Sequence, residues 1–369
     1  MFKNNQMISN LELFAIGAMI GNALFVGMGN AIIVLTAKRD TWIVGLLSIL
    51  AGLFIVGLLC KIMNYEPSMN LIEKINHMFG KKIGLFINLI ISLLIVGTLL
   101  IDISGLGVFA NTKYLTETPL YFIVLLFLIA IVFSYQKGIE AIARTTLFLF
   151  FIGVICHFTI TTSLFEFIDF KNVKPTLMDG WMPIINGVAK FLTYAIIPFL
   201  SILIIPKDHI KNSKHSSLAL LLGYAFTAGI MSIVFFMDMS TVGYAIAAMY
   251  RYPEYFIMKK VHIINSFDNI ENVFSVVWIY NMVVCAMMEF YYINEYIGSF
   301  FKNRTSRKKM LIALGVGGFI LLSTCKLFPN ATAENTFMDE KYPIVFGIPA
   351  LCTIFLIFIM TFFKKKKST

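Results

Sequence analysis

Charge is scarce in this chain. Only 14% of its 369 residues are Asp, Glu, Lys or Arg, while 59% are hydrophobic. With a mean hydropathy of +0.83, that balance excludes an ordinary soluble domain. The longest segment outside the apolar runs covers about residues 239–267, too short to bury a soluble catalytic core. There are five cysteines, Cys60, Cys156, Cys285, Cys325 and Cys352. All lie in or beside apolar runs without paired spacing, so they read as small hydrophobes rather than disulfides or metal ligands. The chain also lacks an intramembrane His/Glu metal pattern, a Ser/His/Asp motif, a phosphate-binding loop and any nucleic-acid motif, so neither an enzyme nor a cofactor or metal is expected. The N-terminus shows no short apolar run with a small-residue cleavage site, and the first crossing is expected to be retained.

What is present is a series of apolar stretches of roughly 20 residues, each able to cross a hydrocarbon core about 30 Å thick. They fall near 11–37, 41–63, 83–109, 118–136, 141–163, 184–205, 216–238, 268–297, 309–327 and 343–363. The expectation is one all-α integral membrane domain over 1–369 with ten crossings. Its repeat halves lie at about 11–163 and 184–327, followed by the last crossing. Lys and Arg are unevenly placed: nineteen lie on the side of the termini, ten on the other, and Lys190 within a crossing. The positive-inside rule then places both termini in the cytoplasm. Lys364 to Lys367 could also touch anionic lipid.

The first crossing contains IGAMIGNALFVGMGN, residues 16–30, with Gly17, Gly21, Gly27 and Gly29. Gly17-x-x-x-Gly21 suits close helix packing. Alternatively, Gly21-Asn22-Ala23 is an unwound turn whose free backbone groups face a ligand, tolerated at membrane depth only beside a polar cavity. A second interruption occurs in the sixth crossing, where Gly187, Pro198 and Pro206 punctuate the run. Breaks in crossings one and six of ten fit a five-plus-five inverted repeat with a midplane site. Half-helix ends there would offer N–H groups to a carboxylate and carbonyls to an ammonium or cation, which favours an amino-acid-like ligand.

Several landmarks carry a resemblance: IGNALF at 20–25, Glu66-Pro67, GKKIGLFINLI at 80–90, YLTETP at 114–119, GIEAIAR at 138–144, Gly180-Trp181-Met182-Pro183, Pro198-Phe199 and FDNIENVFSVVW at 267–278. In order and spacing the chain resembles the B subunit of bacterial spore germinant receptors, the spore germination permease family of the amino acid–polyamine–organocation superfamily. The resemblance implies ten helices in a transporter-like fold and nutrient sensing in the spore inner membrane. It also implies a complex with an A subunit and a lipoprotein C subunit. Where that family often has Gly-Glu after Pro-Phe, this chain has Leu200-Ser201, so a carboxylate able to meet an amine is missing. Where the family tends to show Glu-Arg-x-Glu, this chain has Asp268-Asn269-Ile270-Glu271.

The expected ligand-facing set is Gly21, Asn22, Ala23 and Leu24 in crossing one, Thr98 and Asp102 in crossing three, Tyr194, Pro198, Phe199, Leu200 and Ser201 in crossing six, and Asn281 in crossing eight. A carboxylate inside crossing three is expensive, so Asp102, with Thr98 one turn before it, either lines a central cavity or reaches interfacial water. Lys190 either snorkels to the outer interface or pairs with Asp102. Asn281 offers an amide to a ligand or to a neighbouring helix. Glu289 reads as solvated near the cytoplasmic end, His157 as hydrogen-bonded within the bundle, and Arg144 as an interfacial anchor or docking point. The 36 Phe and 15 Tyr read mostly as lipid-facing bulk and interfacial belt. Three functions compete: a nutrient-sensing subunit, a secondary amino-acid transporter, and a subunit lining an ion path.

Overall fold

Without water to satisfy amides, an apolar run of this length must bond its backbone internally, and each of the ten runs does so as a helix. A computed structural model describes residues 7–259, 270–301 and 305–363. Crossing one comprises α1 (Asn10–Asn22), a π-helical segment (Phe25–Gly29) and α2 (Asn30–Ala37). Crossings two to five are α3 (Thr41–Asn64), α4 (Leu71–Lys113), α5 (Leu120–Lys137) and α6 (Ile139–Ser163). Crossings six and seven are α7 (Met182–Ile202) and α8 (Ser216–Ala247). A short α9 (Pro253–Met258) precedes crossing eight, α10 (Ile270–Ser299), and crossing nine is α11 (Ser306–Leu327). Then α12 (Ala331–Thr336) and π segments at Phe337–Lys341 and Pro343–Gly347 lead into α13 (Ile348–Phe363). The outward surface is apolar, with Leu50 and Leu322 more than 70% exposed, as a lipid-facing surface requires.

The observed helices depart from the expected spans at two ends. α4 begins before the membrane run with a capping box, in which Asn70 Oδ1 accepts from Glu73 N–H and Glu73 Oε2 from Asn70 N–H, both at 3.0 Å. It bends at Gly80, whose φ of 76° and ψ of 171° suit glycine, so residues 71–79 form an arm at the end of the bundle bearing the N-terminus. Lys74 on that arm is buried and donates to Ile62 O (3.1 Å) and Met63 O (2.7 Å), satisfying carbonyls at the end of α3. At the opposite end, α8 runs on to Ala247 and α9 follows, so residues 239–259 are largely helical rather than an open loop. Residues 260–269, with Asp268 and Asn269, lie outside the described residues, as do Lys3, Lys302, Arg304 and Lys364 to Lys367.

α1 packs against α6, α7, α8 and α10, which makes crossing one central. At the N-terminal end its entry is tied to the chain leaving crossing six: Ile8 N–H donates to His209 O (3.0 Å) and Lys211 N–H to Ile8 O (2.8 Å). Thr227 Oγ1 on α8 donates to Ala18 O at 2.8 Å, and Tyr224 OH donates across to Ser48 O of α3 at 2.7 Å. Tyr224 is fully buried. Tyr224→Phe is therefore expected to lower thermal stability by about 1 kcal/mol, the usual worth of one such interhelical bond. An unchanged melting midpoint for the detergent-purified variant would show that the α3–α8 contact rests on packing alone.

Candidate functional site

The break in crossing one lies at Ala23–Leu24. Ala23 N–H bonds Ile20 O, three residues back, at 3.2 Å, whereas Gly29 N–H reaches Leu24 O, five residues back, at 2.9 Å. Asn30 N–H bonds Phe25 O in the same way. Tightening and then widening the ladder rotates the following residues relative to a regular helix, a common device at functional positions. The interruption is thus a change of hydrogen-bond pitch that keeps helical torsions at Ala23 and Leu24. Crossing six stays helical across Pro198 to Ile202 and turns only before Pro206. Its expected break reduces to the amide that Pro198 lacks.

Gly17 and Gly21 of crossing one serve packing. A Cβ on Gly21 would stand 2.8 Å from Thr227 Oγ1 and 3.1 Å from the Phe199 ring, so Gly21 faces protein. Phe199 fills the space against Gly17 and stacks edge-on to Tyr224. Ser201 Oγ donates to Pro198 O at 2.6 Å, and Leu200 is buried. Of the crossing-six candidates, Tyr194 ties to the segment before crossing ten, donating to Met338 O at 2.9 Å.

Asn22 and Asn30 flank the break and face a small cavity also lined by His157 of α6, Met231 of α8, Glu254 of α9 and Trp278 of α10. Asn22 is 4% exposed and its Oδ1 has no hydrogen-bond partner. Asn30 Nδ2 donates to both Asp238 Oδ2 (2.7 Å) and Glu254 Oε2 (2.5 Å), joining crossing one to crossing seven and to α9. Trp278 also lines a second cavity, between Met28, Gly105, Phe109, Tyr252 and Met282. Each is on the order of one water in size. The wide central chamber expected at the breaks is filled by side chains: Trp278, Phe25, Phe191 and Phe235 are buried there, Phe25 lying 4.3 Å from Phe191 between ring centres. These aromatics belong to the core and not to the lipid-facing surface where composition placed the bulk of them.

Deeper toward the N-terminal end, Asp102 meets Cys285 and Glu289, one ligand atom from each lying within 4.8 Å of the others. All three are buried, so Glu289 is not the solvated residue expected, and Cys285 is not simply an apolar filler. Neighbouring helices, not water, surround Asp102. Thr98 Oγ1 donates to Leu94 O (2.8 Å) and stands 3.3 Å from the Tyr342 hydroxyl. Asn281 is buried one turn before Cys285. Lys190 pairs with Asp339 and donates to Thr36 Oγ1 at 2.9 Å, so of the two alternatives the pair with Asp102 is not made. Arg251, between α8 and α9, instead holds Glu334 of α12: Nη2 donates to Glu334 Oε2 at 2.9 Å and Nη1 to Ala331 O at 2.6 Å.

Asp238, Glu254, Glu334 and Asn30 were not singled out from sequence. Asp238 carried a usable signal, since it sits in an apolar run that α8 continues for nine more residues, which makes it an intramembrane charge of the same kind as Asp102.

A multi-pass bundle whose first crossing is interrupted at mid-depth and packed among crossings five, six, seven and eight has the fold of transporters of the LeuT type. The nucleobase-cation-symport-1 transporter Mhp1, closed with bromovinylhydantoin bound, matches 96% of the chain and 78% of its own, with a TM-score of 0.66 and 14% identity. The manganese transporter of Eremococcus coleocola matches 100% of the chain and 93% of its own (TM-score 0.63, 10% identity). MhsT in complex with L-phenylalanine matches 96% and 97% (0.55, 13%). The chain belongs to the spore germination protein family, whose model matches residues 8–329. It is 23% identical to spore germination protein KB of Bacillus subtilis (strain 168) over 94% of the chain and 92% of that protein. It is 21% identical to spore germination protein A2 of the same organism over 91% and 90%. It is therefore a non-enzymatic, multi-pass membrane component of the germinant-receptor B-subunit type, a kind of protein that works in a complex with other receptor subunits.

Proposed function

We propose that the protein senses a small nutrient bearing an ammonium group, an amino acid above all, at the break in crossing one. The observation that carries this reading is Asn22 Oδ1, buried without a donor at the point where the helical ladder changes pitch. Beside it the carboxylate of Glu254 and the Trp278 ring share the same cavity, and a cation suits all three. The cavities are water-sized in this conformation, so the nutrient binds a state in which α9 and Trp278 have moved away from crossing one. Its preference for that state over the closed one is what shifts the bundle and signals to partner subunits. By the resemblance these partners are an A subunit and a lipoprotein C subunit in the spore inner membrane. Both termini face the cytoplasm in this reading, which puts α9 on the outer side, where a nutrient arrives.

The test is calorimetry with a panel of L-amino acids on the detergent-purified full chain. At least one amino acid is expected to bind, and Asn22→Leu to weaken it at least tenfold, about 1.4 kcal/mol, while Arg144→Gln on the exposed surface leaves it unchanged. Equal affinity for wild type and a folded Asn22→Leu variant would refute the placement. Gly21→Leu cannot serve as this test, because Thr227 and Phe199 already occupy the space a side chain would enter.

A further inference from the structure

We propose that Asp102, Cys285 and Glu289 form a binding site for a divalent transition-metal ion, distinct from the nutrient cavity and independent of that reading. Cys285 and Glu289 are four residues apart on α10 and so project from one helix face, the spacing by which two ligands of a single helix commonly chelate a metal. Asp102 approaches from α4, bringing one oxygen within 4.8 Å of both partners. Two further observations point to a ligand. Asp102 and Glu289 are fully buried, and among the described residues no backbone amide, hydroxyl or cationic group donates to any of their four oxygens. They face one another and the Cys285 thiol. The basic side chains of this region are engaged elsewhere, Arg251 with Glu334 and Lys190 with Asp339. Two carboxylates this close in a dry bundle require a cation or a shared proton between them.

The donor set selects the class of ion. A sulfur beside two carboxylates suits zinc, cobalt or iron(II), whereas calcium, magnesium, sodium and potassium prefer oxygen alone. A bare ion also fits better than an organic ammonium, because none of the three side chains lines either of the cavities that Trp278 borders. Thr98 and Tyr342 are occupied with Leu94 O and with each other, which leaves the fourth position of a tetrahedral ion to water. On binding, the ion replaces the Cys285 thiol proton and the proton that the two carboxylates share without it, and both are released to solvent. The ion then bridges α4 to α10.

The experiment titrates the detergent-purified full chain, stripped with EDTA, with Co2+ alone. One Co2+ per chain is expected, with the near-ultraviolet thiolate-to-cobalt charge-transfer band. Cys285→Ser should lose the band, Cys352→Ser should keep it, and Asp102→Asn and Glu289→Gln should each weaken binding at least tenfold. Zn2+ should displace Co2+ and Ca2+ should not. Thermal melts of each variant report folding, and the two isosteric carboxamide variants serve independently if one fails to fold. No stoichiometric binding by wild type would overturn the site and leave a shared proton between the carboxylates. A band that survives in Cys285→Ser, or affinity unchanged in both carboxamide variants, would equally overturn it.

Discussion

Asn30→Leu is expected to destabilise the protein by about 3–5 kcal/mol, because one side chain supplies donors to two buried carboxylates. Each hydrogen bond contributes about 1 kcal/mol, more where the acceptor is charged, and removing the donor also leaves the acceptors' desolvation, about 1–3 kcal/mol each, uncompensated. Asp238 and Glu254 are 2% and 4% exposed, so bulk water cannot replace the amide. The bonds also close the structure: Asn30 opens α2 directly after the π segment, and Glu254 reaches it from α9. Losing them loosens the end of the bundle opposite the N-terminus as well as lowering the melting midpoint. The Asn30→Leu/Asp238→Leu double variant should recover part of the loss, since one of the two carboxylates that Asn30 serves is gone. A single variant that melts like wild type in detergent would show that the carboxylates do not depend on Asn30. An isosteric Asn30→Asp change should be at least as harmful, because it exchanges a donor for a third acidic group.

Arg251→Leu is the second large effect, again about 3–5 kcal/mol. Glu334 has no exposed surface, and its cationic partner is Arg251 at 2.9 Å. Breaking a buried pair from one side strands the other charge. The matched control is Lys190→Met. Its partner Asp339 has a side chain 46% exposed, so water takes over and the expected loss stays below about 1 kcal/mol. Arg251→Leu/Glu334→Gln should regain more than half of the single-variant loss. Equal melting shifts for Arg251→Leu and Lys190→Met would contradict the burial argument. Because Arg251 also donates to Ala331 O, its loss should free α12 from the chain that leads to α9. α12 carries Glu334 over Gly105, where Glu334 Oε1 lies 3.3 Å from the position of a Cβ. The same substitution therefore opens the bundle above the cavity lined by Met28, Phe109 and Tyr252.

Both effects concern residues that pair across more than eighty positions of chain, and they mark the boundary of what could be read beforehand. Apolar runs of about 20 residues have one way to satisfy their amides in lipid, so the ten crossings, the membrane class and the interruption in crossing one follow from the sequence. The order of short landmarks sufficed for the family. Asp102 and Thr98 were legible as site candidates because an acid in an apolar run is costly wherever it points. Their partners were not legible. A helix that is apolar on every side has no hydrophobic period to fix its rotation, so nothing local says that Glu289 faces Asp102, that Gly21 meets Thr227, or that Lys190 turns to Asp339. Those pairings depend on how packed helices are rotated and offset against one another, a property of the assembled bundle that only tertiary contacts decide.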